Sequence, residues 1–185
     1  MPHYAIKDLS DEKLMEQFIK ERNPDVFVQI YNRYFVSLSK YIGWLTQDIE
    51  QGKDVTQLVF INLYNTPQLY DPAKNFKIWI FTVAKNRWKN EIRSHSIRKK
   101  HSEFASAFLS IDNEEKEEEN INKLERSLKV KEKMKQLSDH HREVIVLKYS
   151  NNLTIKEISQ VLDCNEGTVK SRLYYALKSL KELIL

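Results

Sequence analysis

The chain has 185 residues, of which 41% are hydrophobic and 30% charged, with a net charge of +4. That apolar share suffices for packed cores and argues against wholesale disorder, and the length suits one ordinary domain or two small ones. Three glycines and four prolines are too few for a glycine-rich phosphate loop, a dinucleotide fingerprint or the tight turns of a β-sandwich or barrel, so an all-α fold is expected.

In chain order, Ser10 can cap a short helix carrying Leu14, Phe18 and Ile19. Asn23-Pro24 reads as a second helix start, because Asn accepts a backbone N–H and Pro suits the first helical position. That helix carries Phe27, Ile30, Tyr31, Tyr34, Leu38 and Tyr41 at helical spacing. A third is expected from about Asp48 to Tyr64, with Val55, Leu58, Val59, Ile61 and Leu63 apolar. Pro67 and Pro72 bound a loop. A fourth helix, NFKIWIFTVAK, and a basic fifth, RWKNEIRSHSIRKK, follow.

Between Asp71 and His101 there are nine Lys/Arg against two acids, a net of +7; between Ser102 and Asn122 seven acids face one Lys, a net of −6. The acidic stretch contains NEEKEEEN, has no apolar periodicity and reads as a flexible, solvated linker. It divides the chain into a domain of residues 1–101, the linker 102–122 and a domain of residues 123–185.

In the second domain, helices are expected at Leu124–Gln136 and Asp139–Tyr149, the latter capped by Ser138. Thr154 and Glu157 form a capping box, in which each side chain satisfies the other's free backbone N–H. Ile155, Ile158, Val161 and Leu162 give that helix its apolar stripe. Asp163-Cys164-Asn165 is a tight turn, and a last helix from Glu166 carries Val169, Leu173, Ala176, Leu177 and Leu180 on one face. Two short helices joined by such a turn make a helix-turn-helix. At ~100° per residue, Lys170, Ser171, Tyr174, Tyr175 and Lys178 point outward, with Arg172 on the flank. Such a face suits a DNA major groove: lysine reaches guanine acceptors or phosphates, serine bonds either, and tyrosine offers ring and hydroxyl.

The stretch Leu137–Ile184, and above all GTVKSR at Gly167–Arg172, resembles the C-terminal promoter-recognition domain of bacterial sigma factors of the extracytoplasmic-function group. DVTQLVFINLY at Asp54–Tyr64 resembles the family's polymerase-binding helix, and FKIWIFTVAKNRWKNEIRS its promoter-melting segment, in the family's order. The resemblance implies a sigma factor that joins core RNA polymerase, reads an upstream promoter element as duplex and reads the melted downstream element as a single strand. Asp54, Gln57, Leu58 and Asn62 would meet the coiled-coil clamp of the large polymerase subunit. Leu58 is a departure, since the family usually has an acidic residue there. Asn86 matches the position that reads an extruded base, and Tyr70 a position near that pocket. Lys85, Arg87, Lys89 and Arg93 would supply cations for the strand backbone. Phe76, Trp79, Phe81 and Trp88 offer aromatic surface, while Phe76, Trp79, Ile80 and Val83 fall at core spacing. The resemblance also implies an anti-sigma partner, often membrane-anchored, and no enzyme activity, cofactor or metal.

Other signals carry less. No two histidines stand at i, i+4, and no serine sits in a nucleophile elbow. A lone Cys164 excludes an intrachain disulfide. The N-terminus lacks the apolar stretch of a signal peptide and no apolar run approaches the ~18 residues of a membrane span, so a soluble, cytoplasmic chain is expected. The alternatives are a helix-turn-helix regulator that binds duplex DNA without polymerase, and a helical adaptor without DNA affinity.

Overall fold

The structure is a computed structural model that describes residues 6–95, 130 and 132–184. The acidic linker, Arg98, Lys99 and Lys100, and most of the helix expected from Leu124 lie outside the described residues. Among the described residues all regular structure is helical, in two compact units.

In the first unit, α1 spans Asp11–Glu21, and the Ser10 hydroxyl accepts the Lys13 amide as its cap. Leu14, Met15 and Phe18 are fully buried, each contributing about 1.5–3 kcal/mol relative to exposure. Arg22 ends the helix in the left-handed region, at φ 55°. Helix α2, Pro24–Thr46, starts with Asn23 as cap and Pro24 in the first turn. Helix α3, Ile49–Asn65, is capped by Asp48, whose carboxylate accepts the Glu50 and Gln51 amides. The two-residue link between α2 and α3 makes an αα-hairpin. Its backbones meet where Gly43 faces Gly52.

Helix α4 runs unbroken from Phe76 to His95. The sequence pattern had divided this stretch into two helices at Asn86. No residue between Lys85 and Trp88 breaks a helix, so the change from apolar to basic composition is a change of face and not of element. Asn75 caps α4 by accepting the Ile78 amide at 3.0 Å. The Glu12 carboxylate of α1 accepts the Phe76 amide at 3.1 Å. Phe76, Ile80, Phe81 and Ala84 are buried, with Phe76 edge-on to Tyr34 at 5.3 Å and Phe81 near Tyr41 at 5.4 Å.

In the second unit, residues 132–136 are helical. Helix α5, Asp139–Ile145, is capped by Ser138 and passes into a π-helical turn, Val146–Ser150. Asn151 closes that turn with both its amide and its side chain on the Val146 carbonyl. Arg142 of α5 is buried. It donates to the carbonyls of Met134, Lys135 and Leu137 and to Asp139, closing the end of the preceding helix. Burial pushes the Arg142 pKa down, against the neighbouring Asp139.

Helix α6, Ile155–Leu162, carries the expected capping box with both reciprocal bonds present. It ends at Asp163, φ 54°. Helix α7, Glu166–Ile184, packs against α5 through an inward row of Val169, Leu173, Ala176 and Leu180, all buried.

Candidate nucleic-acid interface and docking groove

The outer face of α7 is fixed by the turn before it. The Asn165 side chain accepts both the Thr168 amide, at 2.8 Å, and its hydroxyl, at 3.0 Å, so the helix begins at a defined residue. Lys170, Ser171, Tyr174, Tyr175 and Lys178 are exposed and Arg172 is half-buried, as the periodicity required. The Tyr174 and Tyr175 rings meet edge to face at 5.3 Å, and both are exposed. Ser171 donates its hydroxyl to the Thr168 carbonyl at 3.0 Å, so towards a ligand it offers lone pairs first. Lys178 lies 3.9 Å from Glu182. Leu177, grouped with the core by spacing, is exposed. It lies one turn beyond Tyr174 and extends the outer face with an apolar residue.

On α4, Asn86 is exposed in mid-helix, not at a helix junction, so its side-chain amide is not a cap. Lys89 and Asn90 are exposed one turn further on. Trp79 and Val83, placed in the core by spacing, are half-exposed and lie on the Asn86 side, seven and three residues earlier. Arg87 is half-buried and pairs with Glu91 at 3.7 Å. Lys85, expected as an exposed cation for the strand, is buried, because it lies ~100° around the helix from Asn86. Arg93 belongs to α4, but its side chain lies outside what is described.

Tyr70 is the clearest correction to the expected contact surface. It is 2% exposed, with its hydroxyl donated to the Lys74 carbonyl and its ring 5.1 Å from both Phe76 and Trp79. Burial, and then the carboxylate of Glu12, push its pKa up to about 12. It holds the loop before α4 and backs Trp79, and offers no free ring face.

On α3, Asp54, Gln57 and Asn62 are exposed and Leu58 is half-buried. Residues 54, 58 and 62 form one i, i+4 row, and 57, 61 and 65 the row beside it. Ile61 is 52% exposed, and Tyr64 is 41% exposed. Both line a groove of about 530 Å³ whose walls also include Phe27, Tyr31, Gln57, Phe60 and Asn65. Sequence reasoning found the α3 side of this groove but missed the α2 side. Phe27 and Tyr31 read as ordinary core positions on a helical stripe; only the pairing of α2 with α3 shows that they are half-exposed.

Among the described residues no group of His, Cys, Asp and Glu could hold a metal, and no helix is long and apolar enough to cross a membrane. Cys164 is half-buried in the turn before α7.

Residues 30–97 match the family "Sigma-70 region 2" and residues 134–182 match "Sigma-70, region 4". The chain is 32% identical over 153 residues to the ECF RNA polymerase sigma factor SigL of Mycobacterium tuberculosis, covering 82% of this chain and 85% of the relative. It is 26% identical over 186 residues to SigW of Bacillus subtilis, covering 91% and 97%. The fold is similar to that of CnrH in complex with the cytosolic domain of CnrY, with a TM-score of 0.68 at 22% identity over 94% of this chain and 96% of that one. It is also similar to the sigma factor RpoE from Bartonella quintana in complex with the anti-sigma factor NepR, with a TM-score of 0.66 at 19% identity over 85% and 96%. The chain therefore belongs to the extracytoplasmic-function RNA polymerase sigma factors. It is a transcription initiation factor, not an enzyme, and directs promoter-specific initiation with RNA polymerase.

Proposed function

We propose that the protein divides promoter recognition between residues 1–101 and residues 123–185, with 102–122 as the linker. In this reading the outer face of α7 reads the upstream element as duplex. Lys170 and Arg172 reach phosphates or guanine edges, Ser171 and the Tyr174 and Tyr175 hydroxyls bond phosphate or base, and Lys178 neutralises the flanking backbone. Asn86 reads one extruded base of the melted downstream element, because its amide both donates and accepts. Arg87, Lys89 and Arg93 track the strand backbone, and Tyr70 supports the site from beneath. Core polymerase docks on α3 through Asp54, Gln57, Leu58 and Asn62, beside the apolar groove. The observation that carries this reading is the exposure of Asn86 in mid-helix on α4, outside the helix-turn-helix.

The test uses folded mutant holoenzymes and two probes, one duplex upstream and one single-stranded downstream. Lys170→Ala should weaken the upstream contact by ~1–3 kcal/mol and spare the downstream one. Asn86→Ala should relax base preference at one downstream position and spare the upstream contact. Equal losses on both probes for both variants would favour a single binding surface, as in an ordinary helix-turn-helix regulator. The docking assignment fails if the folded double variant Asp54→Ala, Gln57→Ala binds core polymerase as well as the parent.

The same reading places the protein in the cytoplasm, under an anti-sigma protein of the membrane-anchored kind that masks the polymerase-binding surfaces. Family membership supports this, as does the Bartonella sigma factor of similar fold, whose structure contains an anti-sigma factor.

A further inference from the structure

Against Tyr64, a residue of the α2–α3 groove wall, one full charge stands in a fixed position. Arg22 closes α1 in the left-handed conformation, φ 55° and ψ 29°, with its amide on the Phe18 carbonyl. Glycine takes that conformation without cost, and an L-residue does not. The Arg22 side chain is not loose. Its Nη2 donates to the Tyr64 carbonyl at 2.7 Å, and its guanidinium carbon lies 5.1 Å from the Phe18 ring centre and 5.5 Å from that of Tyr64. The Tyr64 ring in turn stands edge-on to Phe27 at 5.0 Å, and Tyr64 and Phe27 line the groove.

Arg22 is exposed, and among the described residues it forms no ion pair. The neighbouring Glu21 instead accepts the Gln17 side-chain amide at 3.0 Å, and Asp25, in the first turn of α2, is exposed. The groove lining itself is apolar or amide, without a formal charge. A guanidinium has five N–H donors, and the carbonyl of Tyr64 uses one.

We infer that Arg22 is the cationic end of the docking groove, and that the polymerase helix seated there presents an apolar stripe to Phe27, Phe60 and Ile61 and a carboxylate to Arg22. This rests on the reading of α3 as the polymerase-docking helix and extends it into the adjoining groove. A forked guanidinium fixed over two rings is preorganised for a carboxylate and loses little freedom on pairing. The apolar floor supplies area, and the charge sets which way the partner helix lies.

The test measures binding of the full chain to core RNA polymerase at low salt and at ~1 M salt, where the screening length falls to about 3 Å. Arg22→Gly keeps the left-handed cap and removes the charge. It should bind about fivefold more weakly than the parent at low salt and equally at high salt. Arg22→Lys keeps the charge without the fork and should fall between the two. A loss of the same size at both salt concentrations would mean that Arg22 acts only by packing Tyr64, and unchanged affinity at both would remove it from the interface; either result overturns the inference. Ile61→Glu separates this from the underlying reading. If Ile61→Glu binds like the parent, the groove is not the polymerase surface. If Ile61→Glu loses binding while Arg22→Gly keeps both its affinity and its salt dependence, the docking site stands and the role of Arg22 falls.

Discussion

Gly43 and Gly52 touch backbone to backbone: a Cβ on Gly52 would lie 2.6 Å from the Gly43 amide nitrogen and 2.6 Å from the Ser39 carbonyl oxygen. Real Cβ atoms do not approach backbone that closely. The α2–α3 hairpin, and with it the groove between the two helices, is set by the absence of a side chain at residue 52.

Gly52→Ala should therefore destabilise the first unit, although helix propensity alone would favour alanine by ~1 kcal/mol. The clash is with main-chain atoms that cannot rotate away, so a net loss of about 1–3 kcal/mol is expected. All three tryptophans, Trp44, Trp79 and Trp88, lie in that unit, so a denaturation curve followed by tryptophan fluorescence reads it directly. An unchanged midpoint would mean that the two helices are not in main-chain contact.

Arg142→Leu should cost the second unit about 3 kcal/mol or more, because three carbonyls would lose their donor inside the protein. Arg142→Lys should recover only part of the loss, since a single ammonium cannot reproduce the fork that meets Met134, Lys135 and Leu137. Hydrogen exchange of the buried residues Val144–Leu147 measures both variants. Full protection in Arg142→Leu would contradict the structural role.

Tyr70 makes stability depend on alkaline pH. Its pKa in the folded chain is about 12, against an ordinary 10.0, so the folded state holds the phenol proton more tightly than the unfolded state does. The stabilisation is complete below pH 10 and is lost as the pH rises from 10 to 12. Tyr34 is shifted in the same direction, by burial and by its hydrogen bond to Asp11. Unfolding free energies at pH 8, 10 and 12 should fall over the upper interval only, and less steeply in Tyr70→Phe. The same slope in that variant would show that another group titrates.

The helix ends were the most legible part of the fold. Ser10, Asn23, Ser138 and the Thr154–Glu157 pair all cap the helices their local sequence assigned, because capping is decided within four residues. The outward face of α7 was legible for a related reason: a charged and aromatic face opposite an apolar one has only one packing solution. The unbroken α4 was not, because a loss of apolar periodicity looks like a helix end when it only marks a helix leaving the core. Leu177 defeated the reading from the other side. Periodicity says that a stripe is apolar, and cannot say which edge of a wide stripe another protein or nucleic acid is meant to cover. Arg142 gave no signal at all: a buried arginine serving three carbonyls of an earlier segment has the sequence signature of a surface charge.

The π-helical turn at Val146–Ser150 sets the angle at which the chain leaves α5. A π turn accommodates one residue more than an α turn, and each residue of an α-helix is worth ~100° of rotation. A relative one residue shorter here could close the gap without shortening α5, by winding the turn as ordinary α-helix. The difference would then surface as a rotation of everything downstream, with α6 and α7 swung about the α5 axis. Loss of one residue near Tyr149 would therefore act as an angular change, aiming the last helix along a different line.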